Sequence, residues 1–69
     1  MADDVITEIR ALYRRAFRDF GSEALWNMRR VEQPTRADAL AITGALRMHG
    51  RTDGRRLAER IEWICRVIN

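Results

Sequence analysis

The stretch Arg47–Ile61, RMHGRTDGRRLAERI, decides the fold. It breaks at Gly50, turns through Thr52, Asp53 and Gly54, and resumes with Leu57, Ala58 and Ile61 at helical spacing. A glycine closing a basic, helix-favouring run marks a helix C-terminus. A Thr or Asp just ahead of the next apolar period marks a start, because its side-chain oxygen accepts from an orphan N–H of the first turn. One helix therefore ends at about His49 with Gly50 as its C′ residue. Another begins after a cap at Thr52 or Asp53 and runs over about 54–68. Leu57, Ile61, Ile64 and Ile68, flanked by Ala58 and Cys65, form its inward stripe. Trp63 and Val67 fall on another side, interleaved with Arg56 and Arg60, and a single core does not require them.

Upstream, Thr35 opens the preceding helix, expected over about 35–49. Thr35 and Asp38 stand at the spacing of a capping box, with Asp in the place of the usual Glu. The apolar pattern of this segment is two-sided. Ala37, Ala41, Gly44, Ala45 and Met48 make one group, with Leu40 beside it; Ala39, Ile42 and Leu46 make another. Apolar residues nearly encircle the helix, which predicts a central position. Gly44 costs about 1 kcal/mol relative to alanine in a helix interior, and a close helix crossing would be the simplest compensation.

Residues 4–20 read as an amphipathic helix. Val5, Ile6, Ile9, Leu12, Tyr13, Ala16, Phe17 and Phe20 form a stripe roughly 140° wide at about 100° per residue. Asp3 or Asp4 would cap its start, and Gly21 would stop it. Between this helix and Pro34, Leu25, Trp26, Met28 and Val31 carry more apolar weight than a solvated loop needs. They predict a short helix at about 22–29, or a packed connector closing one end of the core. The expectation is an all-α, single-domain chain (1–69): a small bundle of three main helices.

Composition narrows the function. The chain has 69 residues, too few for more than one domain. All thirteen basic residues are arginine, yet the formal net charge is only +3, a weak argument for nucleic acid. The single cysteine, Cys65, offers no internal disulfide, and a reducing compartment fits it best. The acidic start MADDVITEIR is not a signal peptide, and no apolar run has the length of a membrane span. The default expectation is a soluble, cytoplasmic protein.

Residues 47–61 resemble the opening of a winged-helix DNA-binding domain, with Leu57 and Ala58 at the "LA" positions of its short helix. That resemblance implies a turn and a recognition helix further on. Instead ERIEWICRVIN follows without a turn. Were this last helix itself the reader, its face of Arg55, Glu59, Glu62 and Arg66 would set two carboxylates against phosphates. A capped helix-to-helix turn is the simpler reading.

No metal-ligand spacing, phosphate-binding glycine loop or nucleophile motif is present. His49 reads as a C-terminal cap and Cys65 as a buried thiol. We therefore expect no catalytic, metal or cofactor site, and no small-molecule substrate. The leading expectation is a non-enzymatic module binding another protein or its own copy through Trp26, Arg56, Arg60, Trp63 and Val67, since Trp and Arg dominate binding hot spots. A small regulator that folds against a larger enzyme belongs to the same class. The alternative is non-specific phosphate contact with nucleic acid through Arg10, Arg14 and Arg18. These form an i, i+4, i+8 ladder whose like charges are mildly unfavourable by themselves. Arg29, Arg30, Arg51, Arg55 and Arg56 would add a second patch if the loops meet at one end.

Overall fold

A computed structural model describes the backbone of residues 2–68 and the side chains of residues 5–67. Three helices follow in order: α1 (Ala2–Phe20), α2 (Arg36–His49) and α3 (Arg51–Ile68). No strand occurs among the described residues. The two acidic cap candidates at positions 3 and 4, and the last member of the α3 stripe at position 68, have side chains outside the described residues.

The α1 stripe is buried as its spacing predicts: Ile9, Leu12, Tyr13 and Ala16 enter the core, and Val5, Ile6, Phe17 and Phe20 pack against its edge. From α3, Leu57, Ala58, Ile61, Ile64 and Cys65 meet them, and α2 contributes Ala39, Ile42 and Leu46. Thr43 is buried beside these and donates its hydroxyl to the Leu40 carbonyl at 2.7 Å, so its polar atom is satisfied. The Cα radius of gyration is 11.0 Å, close to the value of about 11 Å that chain length alone implies.

The start of α2 follows the sequence closely. The Thr35 hydroxyl accepts from the Asp38 N–H at 3.3 Å, and Asp38 Oδ2 accepts from the Thr35 N–H at 2.9 Å. Two orphan donors are thereby satisfied reciprocally. The orientation of α2 departs from expectation. The helix is not central: only Ala39, Ile42, Thr43 and Leu46 are buried. Ala37, Leu40, Ala41, Gly44 and Met48 lie exposed along its outward side. Nothing approaches a Cβ built on Gly44 within 4 Å, so no close crossing compensates that glycine. The principal-axis extents, 33 × 23 × 15 Å, supply the reason. A slab this thin has no fourth element to cover the second apolar side of α2.

The junction of α2 and α3 is tighter than the capping residues suggest. α3 begins at Arg51, so Thr52 and Asp53 sit inside its first turn and do not cap it from outside. Gly50 joins the helices alone. Its N–H donates to the Leu46 carbonyl at 2.9 Å, and its own carbonyl accepts from Gly54 at 2.8 Å. Gly50 is not left-handed (φ −90°); the residue that is left-handed is Arg51, with φ 58°. Glycine is required at position 50 for closeness. An added Cβ would fall 2.6 Å from the Leu46 carbonyl oxygen and 2.7 Å from Gly54 Cα.

Residues 22–29 form turns, not a helix, which leaves the packed-connector reading. Ala24 and Leu25 donate to the Phe20 carbonyl, Met28 donates to Leu25, and Ala24 and Leu25 are buried. The connector then runs back along α1. The Tyr13 hydroxyl accepts from Val31 N–H at 3.0 Å and lies 3.4 Å from the Arg29 carbonyl, to which it donates. Arg10 Nε donates to the Pro34 carbonyl at 3.1 Å. Residues 29–34 are not helical and so do not pair their backbone groups with one another as a helix does. Side chains of α1 supply partners to three of those backbone groups.

Candidate interaction surfaces

Among the described residues, five large apolar side chains stand exposed: Trp26 at 71%, Met48 at 78%, Trp63 at 62%, Val67 at 59% and Leu40 at 39%. Scattered apolar residues on a surface are ordinary, so their arrangement matters more than their number. Trp63 and Val67 are one turn apart on α3, as expected. Trp63 borders a shallow groove between Arg47, Glu59, Arg60, Glu62 and Arg66. Arg60 closes one side of that groove and reaches α1, where its Nη2 meets Glu8 Oε1 at 3.0 Å. Arg56, one turn before Arg60 on the same side of α3, lines a second groove between α1 and α3 that it shares with Arg60. Trp26 belongs to the connector and does not line the groove beside Trp63. Of the five residues expected to form one partner site, Arg56, Arg60, Trp63 and Val67 share one exposed side of α3 at i, i+4, i+7 and i+11, while Trp26 belongs to the connector.

The outward side of α2 is a second exposed apolar surface. At helical spacing, Ala37, Leu40, Ala41, Gly44 and Met48 form an exposed stripe about 100° wide that contains no charged group. Charges border it. Arg47 Nε donates to Glu62 Oε2 at 3.1 Å, and a second arginine nitrogen meets Glu62 Oε1, tying α2 to α3. Hydrogen bonding from Arg47 holds the Glu62 carboxyl below the ordinary carboxylate range, and burial opposes it. Arg36 reaches across to the Cys65 carbonyl at 3.5 Å. Gly44 and Ala41 leave the middle of the stripe flat, with Leu40 and Met48 raised toward its two ends.

The arginine ladder of α1 is divided by the connector. Arg10 is half-buried and committed to the Pro34 carbonyl. Arg14 and Arg18 remain at the surface, joined by Arg15 of α1 and by Arg30 from the connector around a groove of about 730 Å³. Ala11 and Phe17 complete its lining. The second patch proposed for Arg29, Arg30, Arg51, Arg55 and Arg56 does not form as one unit. Arg30 sits with Arg14 and Arg18, whereas Arg51 and Arg56 line the α1–α3 groove with Asp19, Glu23 and Asp53.

Cys65 is buried at 3% exposure, and burial pushes its thiol up, away from the reactive thiolate. His49 is exposed in the last turn of α2, where a cation suits the helix dipole. Among the described residues no three His, Cys, Asp or Glu side chains cluster as metal ligands would. Among the described residues no helix is long and apolar enough to cross a membrane. Set against known proteins, the chain matches no family model, no curated protein and no solved structure.

Proposed function

We propose that this chain is a non-enzymatic interaction module whose docking surface is the outward side of α2, and that its first partner is a second copy of itself. One observation carries the reading: the uncharged stripe Ala37, Leu40, Ala41, Gly44 and Met48, exposed along a single rigid helix. A two-fold interface requires a patch complementary to itself, and this stripe meets that requirement. With the dyad at Gly44, the glycines of two antiparallel helices meet where no Cβ keeps them apart. Leu40 of one copy then lies opposite Met48 of the other. Small residues at the crossing permit a short interaxial distance, at the lower end of the roughly 8–10 Å range of packed helices. The Trp63–Val67 edge of α3 extends the contact area available to a larger partner, with Arg60 beside it.

Sedimentation equilibrium over a wide concentration range tests this. The expected result is reversible dimerisation that Met48→Glu and Leu40→Glu each weaken, with unchanged helical circular dichroism because both positions are exposed. A strict monomer at about millimolar concentration, near the weakest binding worth the name, overturns self-association. Dimerisation that is indifferent to both substitutions but lost in Trp63→Ala moves the interface to α3. If the protein is monomeric yet captures one protein partner from its native cell, and Met48→Glu abolishes that capture, the occupant is a different chain.

A further inference from the structure

We infer that the groove between the outer side of α1 and the connector binds the sugar–phosphate backbone of single-stranded nucleic acid. The inference is independent of the α2 surface. Four guanidinium groups, from Arg14, Arg15, Arg18 and Arg30, surround the groove, and no carboxylate lines it. This sets it apart from the α1–α3 groove, where Asp19, Glu23 and Asp53 offset the arginines. Among the described residues, Asp19 makes the only ion pairs that reach the four. It accepts from Arg18 Nε at 3.1 Å and lies 3.5 Å from Arg15 Nε. Both pairs use Nε, so the terminal nitrogens of each fork keep their donors. Arg14 and Arg30 make no ion pair among the described residues. A guanidinium fork matches phosphate oxygens in geometry and stays charged at every physiological pH.

The arrangement favours a single strand over other polyanions. Arg14 and Arg18 stand one turn apart on α1, a rise of about 6 Å, and Arg30 faces them from the connector. The result is a groove with arginines from two elements, and Ala11, whose side chain is a single methyl, shares its lining. Phe17 lies in the lining, half-buried, with its ring tilted at 46° against Tyr13 and centroids 5.0 Å apart. An aromatic ring held in place within a cationic groove offers a base a stacking partner, the combination by which sequence-tolerant single-strand binders work. A duplex presents stacked, paired bases and would gain nothing from Phe17. The connector is essential to the site, because it removes Arg10 from the ladder and supplies Arg30 in its place.

Fluorescence polarisation with a labelled oligothymidylate of about 16 nucleotides, a length within known single-strand site sizes, tests the site. The titration is run at about 50 and 200 mM salt, with the matching duplex and with polyglutamate as competitors. The expected result is binding at low salt that weakens at high salt. The paired variant Arg14→Gln/Arg30→Gln should weaken it by about tenfold or more and flatten the salt slope by about 1.4, two phosphate contacts' worth for a single strand. The charge-matched control Arg55→Gln/Arg66→Gln, away from the groove, should change affinity less than about threefold. All four positions are exposed, so folding is not at stake. Any one of four results overturns the inference: no binding at low salt, equal losses in both pairs, tighter binding of the duplex, or displacement by polyglutamate as efficient as by the oligonucleotide.

Discussion

Between α2 and α3 the chain uses one residue, Gly50; between α1 and α2 it uses residues 21–35. The short link is held by backbone alone. Two glycines allow Leu46, Gly50 and Gly54 to approach within bonding distance, and Arg51 takes the left-handed turn. The long link has little regular structure, and α1 holds it through the Tyr13 hydroxyl and Arg10. Steric exclusion thus governs one connection, and side-chain hydrogen bonds to backbone govern the other. Substitutions should act on them differently.

The largest effect is expected at the short link. Gly50→Ala places a methyl against backbone on two sides, where nothing can rotate away, and should cost about 2–3 kcal/mol. Thermal denaturation would show a Tm lower by roughly 10–20 °C. At the long link, Tyr13→Phe keeps the ring but leaves the Val31 N–H without its acceptor. A loss of about 1–2 kcal/mol is expected in urea unfolding, and faster amide exchange at Val31 would localise it. Arg51→Gly should work in the opposite direction, raising stability by about 0.5–1 kcal/mol as the left-handed strain is relieved. A loss of stability there would mean that Arg51 contributes more through its side chain than it costs through its backbone. Gly44→Ala, on the exposed side of α2 with open space around it, should add a similar or smaller amount in dilute solution, about 0.5–1 kcal/mol.

The smallest expected effect concerns the Arg47–Glu62 pair that braces the hairpin formed by α2 and α3. Folding holds the Glu62 carboxyl below its ordinary value of 4.5, chiefly through the Arg47 hydrogen bonds. A depressed carboxylate stabilises the fold fully above that unfolded value, and the contribution fades as pH falls through the folded one. Acid titration of stability should therefore lose a small increment below about pH 4.5 in the native chain. Arg47→Gln should remove that increment and leave the neutral-pH fold intact. Solvent around both side chains keeps the effect modest.

Much of the fold is legible because its signals are local. The Thr35–Asp38 box, the α1 stripe and the inward side of α3 each depend on residues within a few positions of one another. The two-sided pattern of α2 shows where local information stops. Periodicity finds both apolar sides but cannot choose between them; only the thickness of the three-helix slab decides which is covered. The connector misleads for a related reason. Tyr13 belongs to an apolar stripe and gives no sign that its hydroxyl will serve backbone groups sixteen and eighteen positions away. The arginine groove inherits that difficulty. Arg14 and Arg18 stand out in the ladder, whereas Arg30 joins them only through the path of the connector. Arg10 leaves by the same path. Trp63 and Val67 stand at the surface, since they fall off the α3 stripe that enters the core.

The single-residue joint at Gly50 also sets a timetable. Contacts between α2 and α3 close a very short loop, so little chain entropy opposes them, and local topologies form early. α1 docks across the much longer link and must wait for a finished surface. Because α1 precedes that hairpin in the chain, its apolar stripe leaves the ribosome before α2 and α3 exist to cover it. The interval between those two events is when this small protein is most open to capture by whatever else is nearby.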